Sequence, residues 1–194
     1  MNKSIVMLAV LLCMACDFWG EDEDRVALYQ THDVAPSLKA SDIKALAHMG
    51  PTIIDSGVNF AVYSESATRM ELLLFDKATD ALPVQQFKMK KQGEVFNIFV
   101  EGIGIGQHYG FVTWGGNWTY DENWEPGRID GFVTDVDGQG NRFNPNKLLF
   151  DPWSLALHRD HDWSKGSTAS GPQRADSTWG AAAKSVIVES TYSW

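Results

Sequence analysis

A run of aromatic side chains carries the most chemistry in this chain. Trp114, Trp118, Tyr120 and Trp124 follow one another closely, with Asn117 and Asn123 among them and Gln107 a little earlier. Aromatic faces pack on the C–H faces of sugar rings, and nearby amides bond the hydroxyls; such rings offer large contact area at low entropy cost. Trp114, Trp118, Tyr120, Trp124 and Asn117 are therefore the candidate carbohydrate contacts. In a second reading the same rings pin a long loop onto its own domain or onto a neighbour. The sequence leaves both open.

The ionisable groups offer less. Asp135-Val136-Asp137-Gly138-Gln139-Gly140-Asn141 opens like a calcium loop. Gln139 stands at its fifth position, however, and no Glu follows at the twelfth. A tight Asp-Gly turn is the better reading. His158 and His161 flank Asp160, but no His-Glu-x-x-His pattern accompanies them, and they read as surface histidines. Ser154 and Ser164 have no nucleophile context. Gly104-Ile105-Gly106 lacks the strand-to-helix setting of a nucleotide loop.

The elements that must position these residues are strands. Val58, Phe60 and Val62 alternate with Asn59, Ala61 and Tyr63, the period of a half-buried strand. Met70–Phe75 is more fully apolar. Val84–Met89 is a further strand, followed by a charged turn over Lys90–Glu94. Val95–Val100 alternates again, Tyr109–Trp114 follows a glycine-rich turn, and Ser185–Val188 is the last strand. Strands at short spacing with turn chemistry between them imply an all-β antiparallel sandwich. Residues 115–147 form a long polar loop, and loops of that length are functional or disordered. Trp118, Tyr120, Trp124 and Phe132 within it argue for order. Residues 153–183 are irregular.

The chain has 194 residues and 44% hydrophobic side chains, enough for one domain with a core. Its formal charge of −9 excludes an electrostatic reason to bind nucleic acid. Both cysteines, Cys13 and Cys16, fall at the N-terminal end. Lys3, the apolar run Ile5–Cys13 and small Ala15 form a secretory signal over residues 1–16. Met14-Ala15-Cys16 resembles a bacterial lipoprotein cleavage site with Cys16 as the acylated residue; an ordinary signal peptide is the alternative. Localisation is thus exported: periplasmic, membrane-anchored or extracellular. Residues 17–47 read as a flexible tether with a short helix capped by Ser41, and Gly50-Pro51 reads as the breaker that ends it.

One string has no generic structural explanation: Gly140-Asn141-Arg142-Phe143-Asn144-Pro145-Asn146-Lys147-Leu148-Leu149-Phe150-Asp151-Pro152. Locally, Asn-Pro-Asn is turn chemistry and Leu148-Leu149-Phe150 a short buried strand stopped by Asp-Pro. The string resembles the end of the N-terminal module of isoamylases and glycogen debranching enzymes of glycoside hydrolase family 13. Gly57–Ser64, Glu71–Asp76 and Gly106–Phe111 resemble strands of the same module. Trp114–Tyr120, Asn123-Trp124 and Gly131–Asp137 resemble the bacterial isoamylase side.

The resemblance implies an immunoglobulin-like sandwich of carbohydrate-binding module family 48 over residues 48–152. Residues 153–194 would lead toward a catalytic barrel not present here. It implies a non-catalytic, α-glucan-associated module whose parent hydrolyses α-1,6 bonds. The partners are glycogen or amylopectin, and the parent's barrel or a separate family 13 chain; a free-standing glucan-binding lipoprotein is the alternative. In the parents the aromatic loop lies toward the catalytic domain. The parents carry calcium, and Asp160 falls where they have a ligand carboxylate, an incomplete site in this chain, for which no cofactor is expected. Family 13 catalysis needs two carboxyl groups about 5–5.5 Å apart on a (β/α)₈ barrel of roughly 250 residues. No barrel pattern occurs, so hydrolysis by this chain alone is not expected.

Overall fold

The computed structural model describes residues 48–189 apart from 55 and 165. The signal segment with Cys16, the tether and the expected helix lie outside the described residues.

The described residues form two antiparallel sheets. One has the order β1-β2-β6-β5, built from Gly50–Ile54, Gly57–Tyr63, Val95–Glu101 and Lys90–Gln92. The other has the order β4-β3-β7-β9-β8, built from Gln85–Lys88, Ala67–Phe75, His108–Gly115, Lys184–Val186 and Leu157–His158. The expected sandwich is thus the architecture found.

Alternation decides what lies between the sheets. Val58, Phe60 and Val62 of β2 stand opposite Val100, Ile98 and Phe96 of β6. All six are buried, together with Met70, Leu72 and Leu74 of β3 and Tyr109 and Phe111 of β7. Each large apolar side chain removed from water in this way contributes about 1.5–3 kcal/mol.

The continuous apolar run of β3 has a separate cause. Leu73 and Phe75 point to the other side of their sheet, where they join Val112 and Trp114 of β7. Trp118, Trp124, Leu148, Trp179 and Ala182 cover them. The five-stranded sheet is therefore buried on both faces, and near-continuous apolar strands are what two covered faces require. Gly110 is where this cover comes closest: a Cβ there would lie 2.8 Å from Leu148 Cδ1.

Three local expectations need correction. Gly50-Pro51 begins a strand, since β1 pairs with β2 in register from Gly50 opposite Ala61 to Ile54 opposite Gly57. The charged stretch after Met89 is not only a turn: Lys90–Gln92 pairs with β6 while exposing its side chains. Leu148–Phe150 is not a buried strand. It makes a single bridge, Phe111 to Leu149, and leaves Leu149 and Phe150 exposed.

β9 is held by a fully buried lysine. Lys184 Nζ donates to the carbonyls of Ala78 at 2.8 Å, Asp80 at 2.9 Å and Trp179 at 2.8 Å. Burial pulls its pKa from the ordinary 10.5 down to about 8. Lys184→Met should lower stability by about 2–4 kcal/mol, because three buried carbonyls lose their donor. The unfolded chain binds more protons between about pH 8 and 10.5, so this lysine's contribution rises with pH across that window and is flat below it. Urea titrations of both proteins at pH 7, 9 and 10 should show a widening gap.

Candidate functional site

The loop after β7 turns back at once. Gly115 and Trp118 exchange two backbone hydrogen bonds of 3.0 and 3.1 Å. Trp118 is thereby aimed at the outer face of the five-stranded sheet, beside Trp114. The indoles meet edge to face: Trp114 and Trp124 lie 5.3 Å apart at 90°, and Trp118 and Phe132 lie 5.2 Å apart at 73°. Trp118 Nε1 donates to Asp130 O at 2.8 Å, and Trp124 Nε1 to Arg128 O at 3.2 Å.

These positions divide the candidate sugar contacts. Trp114 and Trp118 have essentially no accessible surface and Trp124 is also buried. A ring with no exposed face cannot receive a sugar from solvent, so the contact reading is corrected for all three. Asn117 is likewise buried; its Nδ2 donates to Phe143 O at 2.8 Å and its Oδ1 accepts from Phe143 N. Gln107 Nε2 donates to Phe75 O. Tyr120 alone among the four aromatics is exposed, at 38%.

Tyr120 borders a groove of about 590 Å³ at the end of the sandwich, where the chain crosses between sheets at Met89. Thr68, Arg69, Lys88 and Lys90 line it, with Thr119 and Gly116 on the loop side. The Arg69 guanidinium stacks on Tyr120 with its Cζ 3.6 Å from the ring centroid. Behind it, buried Glu71 pairs with Arg69 and accepts from Gln86 Nε2. This gives an aromatic wall of fixed orientation, with hydroxyls and cations around it. Sequence reasoning missed Arg69 and the lysines because they come from three strands that meet only through the fold.

The signature string serves the backbone. Asn144 Nδ2 donates to Ala169 O at 2.8 Å and Arg174 O at 2.9 Å. Asn146 Nδ2 donates to Arg128 O at 2.9 Å, and its Oδ1 accepts from Gly127 N at 2.7 Å. Lys147 Nζ donates to the carbonyls of Gly166, Gln173 and Asp176. Asp151 accepts from Tyr109 Oη at 2.9 Å and from Trp153 N at 2.8 Å. Burial pushes the carboxyl of Asp151 and the hydroxyl of Tyr109 up.

The remaining candidates are structural by their contacts. Asp137 accepts from the backbone N–H of Gln139 and Asn141, the tight turn expected. Asp135 forms a two-pronged pair with Arg174 at 2.9 and 2.8 Å, which holds its carboxyl below the usual range. His158 meets His108, not His161: His158 Nδ1 lies 2.5 Å from His108 Nε2. Asp160 is exposed. Among the described residues no group of three or more His, Cys, Asp or Glu could hold a metal. One carboxylate does not fit calcium, which takes six to eight oxygens.

A second surface is apolar. A groove of about 410 Å³ runs between Tyr63, Phe143, Leu149 and Phe150. Beyond it the chain exposes Phe150 at 53%, Trp153 at 57% and Leu155 at 69%.

Two sheets, an aromatic-sealed outer face and a groove beside it define an all-β sandwich module. Residues 48–154 match the family model for carbohydrate-binding module 48 (isoamylase N-terminal domain), and the chain belongs to that family. An isoamylase of Flavobacterium sp is 40% identical over 111 residues, 52% of this chain and 14% of the relative. An isoamylase of Pseudomonas amyloderamosa is 37% identical over 113 residues, 54% of this chain and 15% of the relative. A glycogen debranching enzyme of Klebsiella pneumoniae is 32% identical over 154 residues, 76% and 20% of the two chains. Among solved structures, the catalytic module of the glycogen-degrading pneumococcal virulence factor SpuA aligns with a TM-score of 0.46 and 14% identity, covering 73% of this chain and 16% of that one. The match thus spans about one seventh of the isoamylases' length.

Asn146→Ala removes the buried donor to Arg128 O and Arg174 O and the acceptor for Gly127 N. It should cost about 2–4 kcal/mol and open residues 160–176 to limited trypsin or thermolysin digestion. Unchanged protection would show that the segment is held elsewhere.

Proposed function

We propose that this chain is the non-catalytic, α-glucan-associated N-terminal module of an isoamylase-type debranching enzyme, whose parent activity is hydrolysis of α-1,6 bonds. One observation carries the glucan contact: Tyr120, fixed by Arg69, is the aromatic of the loop left facing a groove. A sugar ring can lie along its exposed edge while Thr68 and Thr119 meet hydroxyls. The names of the matched relatives support the parent activity.

The described carboxylates support a non-catalytic role. Asp135, Asp137 and Asp151 hold Arg174, a turn and Tyr109 respectively, and Glu71 holds Arg69. Among the described residues neither groove is lined by a carboxylate. The Leu149–Leu155 surface supports docking beside a catalytic domain, since contiguous exposed apolar surface marks an interaction site. The leader-like sequence over residues 1–16 supports export, with Cys16 as the acylation site if the leader is of the lipoprotein type.

The chain should be retarded by glycogen or amylopectin in native gels and release no reducing ends from either. Tyr120→Ala should weaken retardation roughly five-fold, about 1 kcal/mol, while thermal unfolding remains cooperative and the melting temperature falls only slightly. No retardation at high polymer concentration would sink the glucan reading. For the docking surface, Phe150→Ser with Trp153→Ser should reduce binding of a hydrophobic dye; unaltered dye fluorescence would count against it.

A further inference from the structure

We propose that the Tyr120 groove is specific for a glucosyl unit bearing a phosphate monoester, an inference that rests on the glucan reading of the same groove. The argument begins with charge. The chain has 25 acidic and 16 basic side chains, yet among the described residues the groove is lined by four cations, Arg69, Lys88, Lys90 and Lys91, and by no carboxylate. A neutral sugar gives no reason to gather cations on one rim of an acidic protein.

Two of the four are engaged. Arg69 is paired with buried Glu71 and stacked on Tyr120. Lys91 Nζ donates to Glu65 O at 3.0 Å and Ala67 O at 2.7 Å. Both therefore act as fixed walls. Lys88 and Lys90 are exposed, and neither side chain has an ion-pair or hydrogen-bond partner among the described residues. They flank the strand crossover at Met89 and line the same groove as Tyr120.

The nearby carboxylates do not cancel them. Glu71 is buried behind Arg69, and Asp121 accepts from the backbone and side chain of Asn123. Glu122 stands outside the groove lining. A phosphate monoester brings about two negative charges and three acceptor oxygens, which two free ammonium groups and the Thr68 hydroxyl can meet. The aromatic wall would take the sugar that carries it.

The test uses the full chain against phosphate-bearing amylopectin and the same polymer after enzymatic dephosphorylation, with glucose 6-phosphate as competitor. Phosphate-bearing polymer should bind about five- to ten-fold tighter. Lys88→Gln with Lys90→Gln should erase that difference while leaving dephosphorylated binding and the melting temperature unchanged. Salt at about 0.5 M should erase it too. Displacement by glucose 6-phosphate at a comparable concentration would support the phosphate site with the free sugar phosphate as its source; resistance to it, with the polymer preference intact, would support the polymer. Equal binding of both polymers would overturn the phosphate assignment and leave the glucan reading standing. Binding of glucose 6-phosphate with neither polymer bound would keep the phosphate site and end the glucan reading. No binding of any probe would overturn both.

Discussion

An irregular segment can lie against a sheet only if its backbone polar groups find partners, and here three side chains provide them. Residues 153–183 contribute little regular structure beyond the short β8 and one 3₁₀ turn at Gly171–Gln173. Their carbonyls have few ladder partners. Asn144, Asn146 and Lys147 of one string supply the missing donors, to Ala169 and Arg174, to Arg174, and to Gly166, Gln173 and Asp176 respectively. An unmet buried carbonyl costs about 1–3 kcal/mol, so the segment would detach without them. With them, Thr178–Ala182 packs on the outer face and Trp179 enters the second core.

That arrangement decides how the aromatic loop is used. A sandwich face facing solvent would hold its aromatics ready for a ligand. Here the chain covers that face with its own loop, and three indoles become packing. The surfaces left open lie elsewhere. One carries Tyr120 with its cations, and another carries Phe150 and Trp153. The two differ in chemistry, the first polar and basic and the second apolar.

The strands were legible where one physical signal was strong. Period-two alternation identified β2 and β6, and the apolar run identified β3. β1 was hidden by Gly50-Pro51, which reads as a breaker although proline is tolerated at the start of an edge strand. β5 was hidden by its lysines, because an exposed edge strand has no apolar face to reveal it. Leu148–Phe150 read as buried from composition alone, yet the sheet accepts only one bridge there. The pairing of His108 with His158 joins positions fifty apart, and no local pattern announces it.

The sequence by itself determined the fold class, the family and the residues that make the long loop ordered, since alternation, turn chemistry and the Asn144–Pro152 string are local properties of the chain. It also showed that aromatic and amide side chains cluster after β7. Only the tertiary structure decided which of them meet solvent. Burial depends on what packs above a residue, and the cover of Trp114, Trp118 and Trp124 comes in part from Leu148, Trp179 and Ala182, far along the chain. The groove at Tyr120 was decided in the same way, because its cations arrive from strands that approach one another only when the two sheets close.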